Sequence, residues 1–255
     1  MKNKILSVKK LNKEFKNNKD ITKVLENIEF DVYDGEIISI IGPSGCGKST
    51  ILNIISSLID TEYESITYNF DKKDIGYMMQ SDALFPWFNI GTNAKLGCNI
   101  KHINNQDYVD KLLKRFRLYD FKNKFPKELS GGMRQRVSLI RTISTKPKLL
   151  LLDEPFASLD YQSRLSISND IYKLIKENNM AAIMITHDIS EAISMSDRVI
   201  VLTKRPAKVK KIYNINLYDK KDPINNRKDK LFNNYYELIC KDLDLFWKRY
   251  ILFNC

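Results

Sequence analysis

After an apolar run at 37–41 the chain reads Gly42-Pro43-Ser44-Gly45-Cys46-Gly47-Lys48-Ser49-Thr50, the spacing GxxxxGK[ST]. Glycines let a backbone wrap a phosphate so that successive N–H groups point inward. A helix opening near Lys48 adds its positive N-terminal end. In this reading Lys48 reaches the β- and γ-phosphates of a nucleotide and Ser49 holds Mg²⁺. A glycine-rich turn that binds nothing is the alternative, but the strand before it and the apolar helix after it (Ile51, Leu52, Ile54, Ile55) are the context the motif requires. Phosphate chemistry then needs an acidic partner on a neighbouring strand. Leu149 to Leu152 followed by Asp153 and Glu154 supplies one. Asp153 completes the Mg²⁺ shell through water, and Glu154 polarises an attacking water as general base. Buried carboxylates without partners are costly, so the pair has little purely structural use.

These residues need a scaffold that brings two strand tips together. Ile37 to Ile41, Leu149 to Leu152, Ala182 to Ile185 and Val199 to Leu202 read as buried strands. Between them, Met133, Val137, Ile140 and Ser144 keep helical spacing, as do Leu165, Ile171, Leu174 and Ile175. Alternation of this kind predicts an α/β fold with a mostly parallel sheet and crossover helices. The first thirty-odd residues, with Val24 to Val32 alternating, predict antiparallel strands at an edge. An insert at about 107–121 carries Val109, Leu112, Leu113 and Phe116 on one helical stripe. Beyond Asp219 the chain is Asn- and Lys-rich, then helical, with Leu231, Tyr235, Ile239, Leu243, Phe246 and Tyr250 on one stripe. Packing against the domain is the default for such a stripe.

Composition narrows the class. At 255 residues and 43% apolar the chain can bury a substantial core without staples. No run approaches the roughly 20 apolar residues of a membrane span, and the start, Met1-Lys2-Asn3-Lys4-Ile5-Leu6, lacks an apolar signal region. A soluble intracellular chain is expected. The net charge of +11 invites a nucleic-acid or anionic-membrane partner, but the lysines are scattered over the chain rather than gathered on one helix face. Cys46, Cys98, Cys240 and Cys255 show neither CxxC pairing nor zinc spacing with histidine, so reduced thiols are expected.

Up to here the residues fit any phosphate-loop ATPase or a kinase. Leu129-Ser130-Gly131-Gly132-Met133-Arg134-Gln135-Arg136, with Ser130 lying 23 residues before Asp153, narrows the field. With it the sequence resembles the ATP-binding cassette (ABC) family from about Ile5 to about Leu217. The resemblance implies an ATP- and Mg²⁺-dependent ATPase built as a P-loop core with a mostly parallel sheet, an antiparallel β edge and a helical subdomain carrying the signature motif. It identifies Ser130, Gly131 and Gly132 with the signature that meets ATP on the opposite subunit. Phe15 is similar to the aromatic that stacks on adenine, and Gln80 to the Q-loop glutamine at Mg²⁺ or the lytic water. Ser158-Leu159-Asp160 resembles the D-loop at the dimer interface. His187, 34 residues past Asp153, is similar to the switch histidine at the γ-phosphate. Two departures stand out. Met133 replaces a glutamine that often ends the signature, and the stretch from Lys48 to Gln80 lacks the usual small β subdomain pattern, so 61–74 reads as trimmed.

The resemblance further implies an ABC ATPase domain over 1–218, its helical subdomain at about 82–145, and a C-terminal helical extension over 219–255. The implied partners are a second copy as homodimer, an integral membrane permease and an extracytoplasmic solute-binding protein. The location would be cytoplasmic and peripheral, on the inner face of the cell membrane. Leu84-Phe85-Pro86-Trp87-Phe88-Asn89-Ile90 reads as a docking groove for a permease helix, or else as a local mini-core. Phe85-Pro86-Trp87 and Arg205-Pro206-Ala207-Lys208-Val209 look like the importer subgroup serving nitrate, sulfonate, taurine, bicarbonate or thiamine-precursor uptake. The alternatives are a soluble cassette ATPase acting on nucleic acid or ribosomes, and the ATPase subunit of an exporter. No coiled-coil insertion or second cassette favours the former, and no nucleic-acid partner is expected.

Overall fold

The computed structural model describes residues 3–17, 20–61 and 65–244. The chain opens with two long antiparallel strands, β1 (Lys4–Asn17) and β2 (Asp20–Tyr33). Next come β3 (Ile37–Ile41), the phosphate-loop residues and α1 (Lys48–Ile55). Two short strands follow, β4 (Ile66–Tyr68) and β5 (Ile75–Met78). Three helices then form a block: α2 (Ile90–Ile100), α3 (Gln106–Arg115) and α4 (Gly131–Ile143). The chain returns to the sheet through β6 (Leu149–Asp153), α5 (Tyr161–Glu177), β7 (Ala181–Ile185), α6 (Ile189–Met195), β8 (Arg198–Leu202) and β9 (Val209–Asn214). It ends in α7 (Pro223–Asn226) and α8 (Phe232–Asp242).

The central sheet has the order β5-β6-β7-β3-β8-β9 and is parallel except for β9, which runs against β8. Every residue of β3, β6 and β7 is buried. That two-sided burial is why these strands read as unbroken apolar runs rather than alternating ones. A second sheet, β2-β1-β4, is antiparallel. The expected α/β architecture with an antiparallel edge is therefore present. The segment that read as trimmed still delivers a strand, the three-residue β4, paired on β1 as Val8↔Ile66 and Leu6↔Tyr68.

Three local details differ from the sequence reading. The strands β7 and β8 each start one residue early, because Ala181 pairs with Leu149 and Arg198 with Ile38. The insert helix stops at Arg115 rather than near Phe121, since Arg117 adopts a left-handed φ of 57° and a 3₁₀ turn at Tyr119–Phe121 follows. Its stripe Val109, Leu112, Leu113 and Phe116 is nevertheless buried in the core. In the C-terminal stripe, Leu231, Tyr235, Ile239 and Leu243 pack with Phe232 and Cys240 against Val199, Val201 and Ile193, while Phe246 and Tyr250 lie outside the described residues. Cys46 and Cys98 are buried free thiols and Cys240 is buried; Cys255 is likewise not among the described residues.

One carboxylate ties the far end of the sheet together. Asp197, just before β8, accepts from the Ile37 N–H at 2.8 Å, from Lys176 of α5 at 3.1 Å and from Lys220 at 2.8 Å. Burial alone would raise its pKa, but Lys220, Lys176 and the amide hydrogen bond outweigh it and hold the group at about 2. A depressed carboxylate stabilises the fold above its unfolded pKa, and the contribution fades as pH falls toward the folded value. Asp197→Asn is therefore expected to cost about 2 kcal/mol at neutral pH. In urea unfolding series the difference from wild type should shrink as the pH falls from the ordinary 3.8 toward about 2.

Candidate active site

The tips of β3 and β6 are brought to one side of the sheet by β7, which pairs with both. Loop 42–47 leaves β3 and enters α1 through Gly47, whose φ of 122° is open to glycine. A Cβ there would also lie 2.7 Å from Val24 Cγ1. Lys48, itself buried, donates to the carbonyls of Gly42 at 2.9 Å and Pro43 at 3.1 Å, which aims its ammonium back over the loop. Cys46 is buried beneath the loop, and burial pushes its thiol pKa up.

Asp153 ends β6 with only 4% of its surface exposed. Burial pushes its pKa up; a hydrogen bond from Ser49 and the charge of Lys48 pull it back, while Glu154 adds to the rise. Glu154 then turns into the left-handed region, with φ 50°. Its N–H donates to the Ile185 carbonyl at 3.0 Å, and its own carbonyl accepts from Gln135 Nε2 at 3.1 Å. A backbone so constrained on both sides can hold a conformation costly for a residue with a Cβ. The Glu154 carboxylate is met from two sides. Gln80 Nε2, two residues past β5, donates to Oε2 at 3.3 Å, and His187 Nδ1, two residues past β7, lies 3.7 Å from the same oxygen.

A cleft of about 460 Å³ is bounded by Phe15, Thr22, Val24, Ser44, Gly45, Gly47 to Thr50, Gln80, Glu154 and Arg205; Cys46, Asp153 and His187 are not part of its lining. A larger cavity of about 680 Å³ between the end of α1 and β4 contains none of these residues. Phe15 is 40% exposed at the cleft mouth, paired across the strands with Thr22. Among the described residues no group of three or more His, Cys, Asp or Glu forms a metal cage. The oxygens of Ser49, Asp153 and Gln80 instead suit a hard cation such as Mg²⁺, which is usually bound by one or two carboxylates together with substrate phosphates.

Ser130, Gly131, Gly132 and Asp160 do not line this cleft. Ser130 caps α4 by accepting from the Met133 N–H at 3.3 Å. Gly132 lies against 158–159, where a Cβ would sit 2.8 Å from Leu159 Cδ2 and 3.3 Å from the Ser158 carbonyl. Asp160 caps α5 by accepting from Ser163, bonds that lower its pKa. Gln135, fully inside, links the two regions: it donates to the Glu154 carbonyl and accepts from the Ser158 N–H at 3.2 Å.

Sequence reasoning missed several supporting groups. Arg134 Nε donates to Asp82 at 2.8 Å, and Arg141 grips the carbonyls of Ala83 at 2.8 Å and Asp82 at 3.0 Å. Their seven-residue spacing on one helix face was the available signal. Asn93, wholly buried, donates to the carbonyls of Phe85, Phe88 and Asn89 and accepts from the Phe85 N–H at 2.9 Å. It thereby shapes the 85–89 loop, whose rings Phe85, Trp87 and Phe88 sit 5.2 to 6.2 Å apart with Trp87 66% exposed.

Known proteins resemble this chain in sequence and in fold. The sequence profile described as "ABC transporter" matches residues 25–157. An uncharacterized ABC transporter ATP-binding protein of Bacillus subtilis (strain 168) is 40% identical over 239 residues, covering 89% of this chain and 90% of that one. An aliphatic sulfonates import ATP-binding protein from the same strain is 38% identical over 200 residues, covering 76% of this chain and 78% of that one. Among solved structures, a dimeric post-hydrolysis state of an ATP-binding cassette bound to ADP and Pi superposes with a TM-score of 0.75 at 28% identity, covering 83% of this chain and 99% of that one. The role of Gln135 is open to a direct check. Gln135→Leu leaves the Glu154 carbonyl and Ser158 N–H without their partner, so it should lower unfolding stability by about 1–3 kcal/mol, read by denaturant titration.

Proposed function

This chain belongs to the ABC transporter family, and on that premise we propose that it is the ATP-hydrolysing subunit of an ABC importer. The observation that carries this reading is the convergence of Gln80 and His187 on Glu154, beside Asp153 with its Ser49 and Lys48 partners, at a cleft lined by Lys48, Ser49, Gln80 and Glu154. Phe15 receives the adenine, and the 42–50 loop with Lys48 receives the phosphates. Ser49, Asp153 and Gln80 would hold Mg²⁺, which would supply charge neutralisation of the phosphates. Glu154 accepts a proton from water as that water's oxygen bonds to the γ-phosphorus. The bond from the γ-phosphorus to ADP's bridging oxygen breaks, and inorganic phosphate leaves with the new oxygen. Gln80 and His187 orient Glu154 and the water. Ser130, Gly131 and Gly132 do not line the chain's own cleft; in this reading a second copy brings its signature to the ATP, so the active form is a homodimer around two nucleotides. The dimeric cassette structures this chain resembles support that arrangement.

We also propose the division into an ATPase domain at 1–218, with its helical subdomain at about 82–145, and an extension at 219–255. Among the described residues no helix is long and apolar enough to cross a membrane. The importer-named relatives support a separate membrane permease as partner, with this chain docked on the membrane's inner, cytoplasmic face. The exposed rings at 85–88 form the docking surface. A relative named for aliphatic sulfonate import supports a small anionic solute, of the sulfonate or nitrate type or a thiamine precursor, delivered by an extracytoplasmic binding protein.

Two experiments test these roles. Lys48→Ala should abolish ATP binding in equilibrium dialysis, whereas Glu154→Gln should bind ATP, lose hydrolysis by about 10²-fold or more and persist as a dimer on size exclusion. A monomeric Glu154→Gln with normal turnover would refute the assignment. Trp87→Ala should leave ATP affinity and basal hydrolysis unchanged while reducing stimulation by, and co-purification with, a multi-span membrane protein. Undiminished stimulation would exclude the 85–88 loop from docking.

A further inference from the structure

Arg205 lies in the turn between β8 and β9, far in sequence from the phosphate loop yet on the wall of the same cleft. The turn is fixed rather than free. The Ala207 N–H donates to the Val24 carbonyl at 2.8 Å, the Glu26 N–H to the Ala207 carbonyl at 2.9 Å, and the Lys208 N–H to Thr203 Oγ1 at 2.9 Å. From it the guanidinium reaches the loop, where Nη2 donates to the Gly45 carbonyl at 2.6 Å. The neighbouring cation, Lys208, is neutralised by Glu26 at 2.8 Å. Arg205 has no such carboxylate among the described residues, and its side chain is exposed. A guanidinium carries five N–H donors in a fixed fork, so most remain unused after Gly45. One hydrogen bond to a solvated carbonyl offsets little of the entropy lost in ordering an exposed arginine. A fork so placed suits a second, anionic acceptor on the cleft side of the loop.

We propose that Arg205 is a further nucleotide-binding residue, taking an oxygen of a nucleoside polyphosphate's phosphate chain from outside the loop while Lys48 does so from within. The inference rests on the reading that this cleft binds ATP. Phe15, Thr22 and Val24 line the cleft together with the loop residues Gly45 and Lys48 and with Arg205 itself. A nucleotide with its base on Phe15 and its phosphates on the loop would bring those phosphates to the segment that the guanidinium touches. A fully ionised nucleoside triphosphate also carries more negative charge than Lys48 and one divalent cation neutralise, and an unpaired arginine with low hydration cost is well suited to the remainder.

The test is isothermal titration of the full chain with Mg-ATP and with Mg-ADP, comparing wild type, Arg205→Ala, Arg205→Gln and Lys208→Ala. Glutamine keeps a donor for the Gly45 carbonyl and removes the charge. If Arg205 binds phosphate, both Arg205 variants should raise Kd for ATP and ADP by about tenfold, the worth of one charge-assisted hydrogen bond. They should also weaken the salt dependence of binding, with melting temperature and the Lys208→Ala affinities unchanged. Wild-type affinity in Arg205→Gln would reduce Arg205 to a tether for the loop and overturn the proposal, as would unchanged affinity in Arg205→Ala. A wild type that binds no ATP, or a Lys48→Ala variant that binds as well as wild type, would instead overturn the reading of the cleft itself.

Discussion

Glu154 presents its carboxylate to the cleft that holds Ser49, the hydrogen-bond partner of Asp153, although successive residues of an extended strand face opposite sides of a sheet. The left-handed backbone at Glu154 removes the conflict by breaking the alternation one residue after β6 ends. That conformation is unfavourable for a residue with a Cβ, so it persists only where the surroundings enforce it. The Ile185 carbonyl holds one side of the peptide and the Gln135 amide the other. Each anchor brings chemistry with it. Ile185 ends the strand that leads to His187, and Gln135 belongs to the helix capped by Ser130. The relative positions of Glu154, His187 and the Ser130 cap thus follow from how one residue's backbone is kept in place.

A second set of contacts runs outward from the same carboxylate. Gln80 touches Glu154, and two residues later Asp82 is gripped by Arg134 and Arg141 of α4. Asn93, wholly buried, then fastens the aromatic loop: its Oδ1 accepts from the Phe85 N–H, and its Nδ2 shares two hydrogens among the carbonyls of Phe85, Phe88 and Asn89. A buried amide whose donors and acceptor are all used rigidifies a fold rather than weakening it. The path from hydrolysis centre to exposed rings is therefore contiguous and made of directional bonds.

Much of this was legible in the sequence, for identifiable reasons. Buried parallel strands leave unbroken apolar runs, so β3 and β6 were evident, as were the glycine loop and the carboxylates at the strand tip. The stripe Val109, Leu112, Leu113 and Phe116 marked a helix, but not its end, because nothing local announces that Arg117 turns left-handed. Strand order was hidden, since β3 lies between β7 and β8, which come some 140 residues or more later. Arg134, Arg141, Asn93, Gln135 and Arg205 act through backbone groups distant in the chain. Their residue types are ordinary, and only the fold shows what they reach. Phe246 and Tyr250, read as part of the last stripe, fall outside the described residues.

The arrangement around Asp197 bears on how such a chain is made. The N–H of Ile37, the first residue of the strand feeding the phosphate loop, is satisfied by Asp197, whose charge is in turn matched by Lys220. A polypeptide leaving the ribosome N-terminus first therefore exposes its most apolar strand long before that strand's neighbours exist. High sequence separation of this kind slows folding and prolongs the exposure of sticky surface. Docking of the nucleotide loop onto a finished sheet must wait until the last seventh of the chain has begun to emerge. The late segment that fastens Asp197 thus acts as a closing step for the whole domain during synthesis.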